Sequence, residues 1–258
     1  MLNSFKELAI ASIMVVCKAV KYNKQLKHQK RRIKMLSIQQ PLPQQLQLQQ
    51  VFYTKLPERG KLLKIAELYA NAFADPPWSE YKVCPNGHFF GRKMSELTSC
   101  INCSQPLTLA YPEAETADYI AKEVTKSEGT LITFEDESGD VLAAGWGYVC
   151  TTEELQDKYS SAEMKEKVVD RIKNTAEKLQ KVFYLSEIMV DTAVRKRGIA
   201  TKISKCLFEK AQSLNLNLVM RTRSDSPMTQ IASKLQMSQI IGLGEDTDNQ
   251  NRVLYLKI

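Results

Sequence analysis

Four side chains stand at spacings suited to a metal ion: Cys84 and His88, then Cys100 and Cys103. The pattern is Cys-x3-His, a gap of eleven residues, then Cys-x2-Cys. Two short-spaced pairs of soft ligands are what tetrahedral Zn2+ requires, because each turn supplies two ligands and the metal closes the loop. Pro85 and Gly87 help bend the first turn. Four protein ligands leave no open coordination position, so such a zinc would be structural. A second segment, 191–201, reads Asp-Thr-Ala-Val-Arg-Lys-Arg-Gly-Ile-Ala-Thr. It separates a strand-like run ending at Val190 from a helical run. N–H groups at a helix start lack an intrahelical partner, and the helix dipole is positive there. Gly198 and Ala200 have little bulk, so a diphosphate can approach the amides around Ile199, Ala200 and Thr201. Arg195, Lys196 and Arg197 add positive charge.

Composition narrows what these residues can serve. The chain has 258 residues, 43% apolar and 25% charged, ordinary values for a globular protein with material for a packed core. Only two histidines occur, His28 and His88, which argues against a histidine dyad or triad. The net charge of +7 is concentrated at the start: residues 1–34 carry nine Lys and Arg against one acid, Glu7, and the rest sum to about −1. The body is therefore not basic. The loop between the two ligand pairs holds only Arg92 and Lys93 as cations, with Glu96 nearby, too few to track phosphates. No nucleic-acid partner is expected. The six cysteines are Cys17, Cys84, Cys100, Cys103, Cys150 and Cys206, three of them clustered. That is no secreted disulfide framework; it suggests a reducing compartment, the cytoplasm, and one metal site.

Hydrophobic periodicity supplies the elements that would position these groups. Short strands are expected at 51–56, 131–134, 141–150, 182–190, 216–221 and 252–258, with a hairpin turn at 136–140. Helices are expected at 60–74, 114–126, 152–181 and 198–213. Another should open at Ser226-Pro227 and run to about residue 235. Strands and helices alternating around an antiparallel hairpin indicate an α/β fold with a mixed sheet. Three segments follow: a basic extension at 1–34, a Gln- and Pro-rich linker at 35–50, and a folded domain at 51–258 that contains an insert at 84–103. The extension places its charge after its apolar core, unlike a secretory signal, and leaves contact with a membrane surface as a minor alternative.

The 191–201 segment resembles the pyrophosphate-binding motif of the GNAT superfamily, the acetyl-CoA-dependent N-acetyltransferases. That family's pattern is Arg or Gln, two residues, Gly, one residue, then Gly or Ala. Arg195, Gly198 and Ala200 meet it, five residues after a strand-end valine, as the family also has it. The resemblance covers the order of elements over 51–258 and implies the GNAT-type acyl-CoA N-acyltransferase fold, with a small zinc-ribbon-like insertion. It implies acetyl-CoA in a cleft where two central strands splay apart. Its pantetheine would pair with backbone at Ile188, Met189 and Val190, with Ser226 beside it. The family's next signature, Asn or Ser opening a helix that ends in Tyr-x-x-x-Gly-Phe, is present in part. Ser226 opens the helix, but Ala232 stands at the tyrosine position and Lys234-Leu235-Gln236-Met237 replaces the ending.

Aminolysis of a thioester needs a neutral amine, so a base must take its proton. Glu187, three residues before Val190, is the candidate base, with Asp191 the other carboxylate nearby. The insert follows the first helix, where the resemblance implies the wall of the acceptor pocket. Trp78, Tyr81, Phe89 and Phe90 around it are expected chiefly to form the zinc module's own core, the alternative being that wall. The implied activity is transfer of an acetyl group from acetyl-CoA to a primary amine of a protein, peptide or small molecule. A non-catalytic acyl-CoA-binding module and a zinc-stabilised interaction module are the alternatives.

Overall fold

A computed structural model describes residues 47–175, 180–246 and 251–258. The basic extension and nearly all of the linker lie outside the described residues. Seven strands form one sheet: β1 (Gln49–Tyr53), β5 (Thr130–Glu135), β6 (Val141–Thr151), β7 (Lys181–Val190), β8 (Leu218–Arg223), β9 (Ser238–Ile241) and β10 (Arg252–Lys257). Their order across the sheet is β1-β5-β6-β7-β8-β10-β9. Only β7 and β8 run parallel; every other neighbouring pair is antiparallel. The strands β2 (Lys82–Val83), β3 (Phe89–Phe90) and β4 (Thr108–Leu109) form a separate small sheet that extends past both ends of the 84–103 insert.

Helices cover both faces. One face carries α5 (Ile199–Ser213) and α6 (Met228–Lys234), whose Ile199, Ile203, Leu207 and Ile231 pack on Phe183, Leu185, Leu218 and Met220. The other carries α1 (Arg59–Phe73) and α2 (Glu113–Val124) over Leu131, Ala144, Trp146 and Met189. Beside them, α4 (Ala162–Thr175) and the short α3 (Thr152–Gln156) pack on Tyr148, Val182, Tyr184 and Leu254. Gly145 allows the central layer to close: a Cβ there would lie 2.7 Å from Ile203 Cγ2 and 3.0 Å from the Glu187 carbonyl oxygen.

Three differences from the sequence reading have local causes. The folded chain starts its first strand at Gln49, two residues inside the expected linker, because Gln49 and Gln50 pair with Glu135 and Phe134. The single helix expected over 152–181 is broken after Gln156. Tyr159 turns inward, and Ser161 Oγ accepts from Met164 N at 3.2 Å to start a second helix. Strand β9 was not anticipated; it is an edge strand of four residues paired with β10.

Candidate active site and metal centre

The site begins with an irregularity in β7. Between Trp146↔Glu187 and Gly147↔Leu185 the register with β6 slips, leaving Ser186 as an extra residue. A bulge of one residue reverses the side-chain alternation. Before it, Phe183 and Leu185 face α5; after it, Ile188 and Val190 do, while Met189 turns to α1. Glu187 therefore faces the α1 side. Ser186 Oγ donates to Glu123 Oε2 at 2.7 Å, fixing the bulge to α2. Beyond it β7 leaves its parallel partner: the β8 ladder runs only from Phe183↔Leu218 to Leu185↔Met220. From Ser186 to Val190 the β8-side edge of β7 has no strand partner among the described residues.

A cavity of about 220 Å³ opens at this splay. Glu187, Tyr69, Trp78, Glu80 and Tyr111 line one part of it; Lys158, Tyr184, Arg221, Ser226 and Arg252 line the rest. Tyr69 Oη donates to Glu187 Oε1 at 3.5 Å. Burial pushes the Glu187 carboxyl up to about 8, against the pull of Arg252 and Lys158 in the other direction. Burial also raises Glu80, although Tyr111 Oη donates to its Oε2. Tyr69 and Tyr111 are held neutral far above their ordinary range, again chiefly by burial. The cavity thus offers an aromatic lining, two carboxyls of raised basicity, Glu187 and Glu80, and several hydroxyl donors.

On the α5 side, the loop after Val190 makes a short helical turn, Thr192–Val194, which Asp191 caps by accepting from Ala193 N at 2.8 Å. Lys196 and Gly198 then adopt left-handed backbone, with φ of 64° and 77°. Gly198 is the cap residue of α5, and no side chain caps that end. The N–H groups of Ile199, Ala200 and Thr201 are left to whatever approaches from solvent. A Cβ built on Gly198 meets nothing within 4 Å, so the space in front of the helix is open. Such a terminus has the polarity that suits an anion.

The four expected metal ligands converge. Their ligand atoms all lie within 4.8 Å of one another. Cys84 Sγ and Cys100 Sγ are each 3.4 Å from His88 Nδ1, and Cys84 Sγ is 3.6 Å from Cys103 Sγ. Tetrahedral zinc with ordinary bond lengths would set S···N near ~3.6 Å and S···S near ~3.8 Å, so the donor set fits the ion. The turns are built for this: Gly87, at φ 76°, donates to the Cys84 carbonyl at 2.9 Å, and Ser104 donates to that of Cys100 at 2.8 Å. The module's base is the β2–β4 ladder, Lys82↔Leu109 and Val83↔Thr108. Just below it, Ala110 N donates to the Tyr81 carbonyl at 3.0 Å. Glu80 and Tyr111 thereby meet at the cavity wall, one from each end of the insert.

The remaining expected residues fall in several places. Arg195, expected to neutralise a diphosphate, donates from Nε to the Val190 carbonyl at 3.0 Å. With Asp191 it lines a separate groove against α1. Asp191 is thus a cap, away from the Glu187 cavity. Val190, expected to pair with pantetheine, is the residue whose carbonyl accepts that bond. Ile188 and Met189 keep their places along the unpaired edge, and Ser226 lines the cavity while its Oγ accepts from Met228 N at 3.2 Å. Lys196 and Arg197 are exposed beside Gly198. Of the four aromatics around the insert, Phe90 joins Cys84 and Cys100 in the module core. Phe89 is exposed, Tyr81 has the Arg92 guanidinium 5.4 Å from its ring centroid, and Trp78 packs with α1 and lines the cavity. Ala232, on α6 itself, is fully buried.

No protein-family model and no curated protein matches this chain. Solved structures do. The polyamine N-acetyltransferase of Drosophila melanogaster, which forms N-acetylagmatine, matches at 11% identity and a TM-score of 0.47, over 81% of this chain and 99% of that one. Histone acetyltransferase HPA2 and related acetyltransferase from Corynebacterium glutamicum matches at 13% and 0.49, over 81% and 95%. Arabidopsis thaliana NAA60 in complex with acetyl-CoA matches at 10% and 0.44, over 81% and 99%. The likeness is to N-acetyltransferases. The mixed α/β sheet is the architecture that the element order and the loop motif implied, and the Cys/His cluster fits the small insert expected from its spacing.

Proposed function

We propose that this protein transfers the acetyl group of acetyl-CoA to a primary amine. The observation that carries the reading is the continuity of one path. An uncapped helix start with open space before it leads along the unpaired edge of β7 to a cavity holding a carboxyl of raised basicity. The diphosphate of acetyl-CoA would lie on the amides of Ile199, Ala200 and Thr201, with Lys196 and Arg197 flanking. Its pantetheine arm would run beside Ile188 and Met189. In the cavity, Glu187 takes the proton of the incoming ammonium. The amine nitrogen then forms its bond to the thioester carbonyl carbon, the C–S bond breaks, and the CoA sulfur leaves with a proton. The thioester is already activated, so holding the two reactants together supplies much of the rate. The zinc bound by Cys84, His88, Cys100 and Cys103 is structural and supports the acceptor side of the cavity.

Two measurements test this. Calorimetric titration should show acetyl-CoA binding, weakened in Gly198→Val by on the order of 2 kcal/mol, since a branched side chain would stand where the diphosphate must come close. Thiol release over a panel of primary amines should show turnover. Unchanged affinity in a folded Gly198→Val protein would remove the phosphate site, and absence of thiol release with bound acetyl-CoA would leave only a binding module.

A further inference from the structure

Strands β8 and β10 carry three arginines, of which Arg221 and Arg252 line the cavity, and Arg221 and Arg223 each have a carboxylate of their own. Arg221 Nη2 donates to Asp246 Oδ2 at 2.6 Å. Arg223 pairs with Asp225 through two bonds of 2.9 Å each. Arg252 is the partner of Arg223 across the ladder, yet among the described residues it makes no hydrogen bond and no ion pair. Its Nε is sealed from solvent without an acceptor. Its guanidinium carbon lies 4.7 Å from the centroid of the Trp78 ring, inside the cavity wall. Glu80 and Glu187 attract it but do not reach ion-pair distance. Lys158, from the connection between α3 and α4, adds a second cation. Its ammonium lies 5.2 Å from the Tyr184 centroid and has no carboxylate partner among the described residues.

Arg252 is half-buried, lies on the Trp78 ring and has no carboxylate of its own among the described residues, so it is placed to receive an anion that enters the cavity. Alternation along β10 puts Arg252 on the same face as Leu254 and Leu256, the face of α1 to α4, opposite the α5 helix start. It therefore belongs to the acceptor side of the splay and not to the phosphate side. A planar fork lying against an indole, with donors unspent, is suited to a carboxylate. Glu187 stands across the same cavity to take the ammonium. The two ends of the cavity complement a zwitterion.

We propose that the acceptor is an amino carboxylate of the free amino-acid type, whose carboxylate is received by Arg252 with Lys158 in support. This rests on the acetylation reading above and narrows its substrate class. The test uses the full chain and compares amino acids with their carboxamides and their decarboxylated amines, by calorimetric titration with coenzyme A present and by thiol release. The wild-type protein should bind the carboxylate form more tightly than the carboxamide by about tenfold or more. Arg252→Gln should bring the two within about twofold while acetyl-CoA affinity holds, and Arg252→Lys should restore part of the preference. Equal binding of the three forms by the wild-type protein, which needs no variant to fold, overturns the proposal. So does a preference that survives Arg252→Gln, or the absence of binding by any amino acid tried. Failure of the acetylation reading would look different. It would appear as no acetyl-CoA binding in a protein that still prefers carboxylates.

Discussion

A carboxyl that titrates near pH 8 holds its proton through most of the neutral range, and this shapes what Glu187 can do. It becomes a base only as pH rises toward 8 or as an ammonium arrives beside it. We expect kcat/KM to climb between pH 6 and pH 8, and Glu187→Gln to lower kcat by roughly a hundredfold while acetyl-CoA affinity holds. Should the variant stay within about threefold of wild type across that range, positioning alone drives the reaction. Stability gives an independent reading. The folded value, about 8, lies above the ordinary 4.5, so below pH 4.5 the group costs nothing. As pH rises from 4.5 to 8 the unfolded chain ionises while the folded one keeps its proton, and stability falls. Glu187→Gln should therefore melt higher than wild type at pH 9, by on the order of 2 kcal/mol, with the gain gone at pH 4. A melting difference that is the same at both pH values would contradict the burial of this carboxyl. Glu187 was legible in the sequence from its distance to Val190. Tyr69, Glu80, Tyr111 and Arg252 were not, because they come from four separate segments with no local spacing to betray them.

Among the elements, the ones with strong local signals came through: α1, α2, α5 and the hairpin of β5 and β6 lie within two residues of their expected bounds. What failed to show was long-range pairing. The bulge at Ser186 exists only because β6 and β7 slip against each other, and no residue type announces that. The break after α3 had a signal, Ser160-Ser161 ahead of an apolar stripe, but a charged, periodic stretch reads as one helix. The convergence of Cys84, His88, Cys100 and Cys103 was legible since their spacing is itself local. Their consequence for the active site was not, since Glu80 and Tyr111 meet only when β2 pairs with β4. This makes a specific expectation for the insert. The purified protein should hold about one zinc per chain. Cys100→Ser should lose most of it, melt lower, and raise the KM for the acceptor by about tenfold or more while acetyl-CoA affinity changes little. A metal-free protein with the same melting temperature and the same acceptor KM would show that the four ligands do not support the wall.

For the whole molecule, Leu48–Ile258 forms one compact unit that contains both faces of the sheet, the cavity and the insert. Residues 1–34 carry the excess positive charge and no residue of the candidate site. A protein starting at Met35 should therefore fold, bind acetyl-CoA with wild-type affinity and melt within about 2 °C of the full chain. Loss of solubility or of acetyl-CoA binding on truncation would show that the extension packs on the domain. Among the described residues no helix is long and apolar enough to cross a membrane. The insert's attachment bears on how such a chain can change over generations. It leaves the main body at Val83 and returns at Thr108, neighbours on one two-residue ladder. Apart from Arg92, which donates to the Ala74 carbonyl and pairs with Asp75, what lies between those points could be lengthened, shortened or traded without breaking a ladder of the large sheet. The replaceable cassette is thus the Cys/His module, while Glu80 and Tyr111, just outside its two ends, stay with the body. Insertion and deletion in the module could reshape what lies beside that wall, while the helix start at Gly198 is inherited intact.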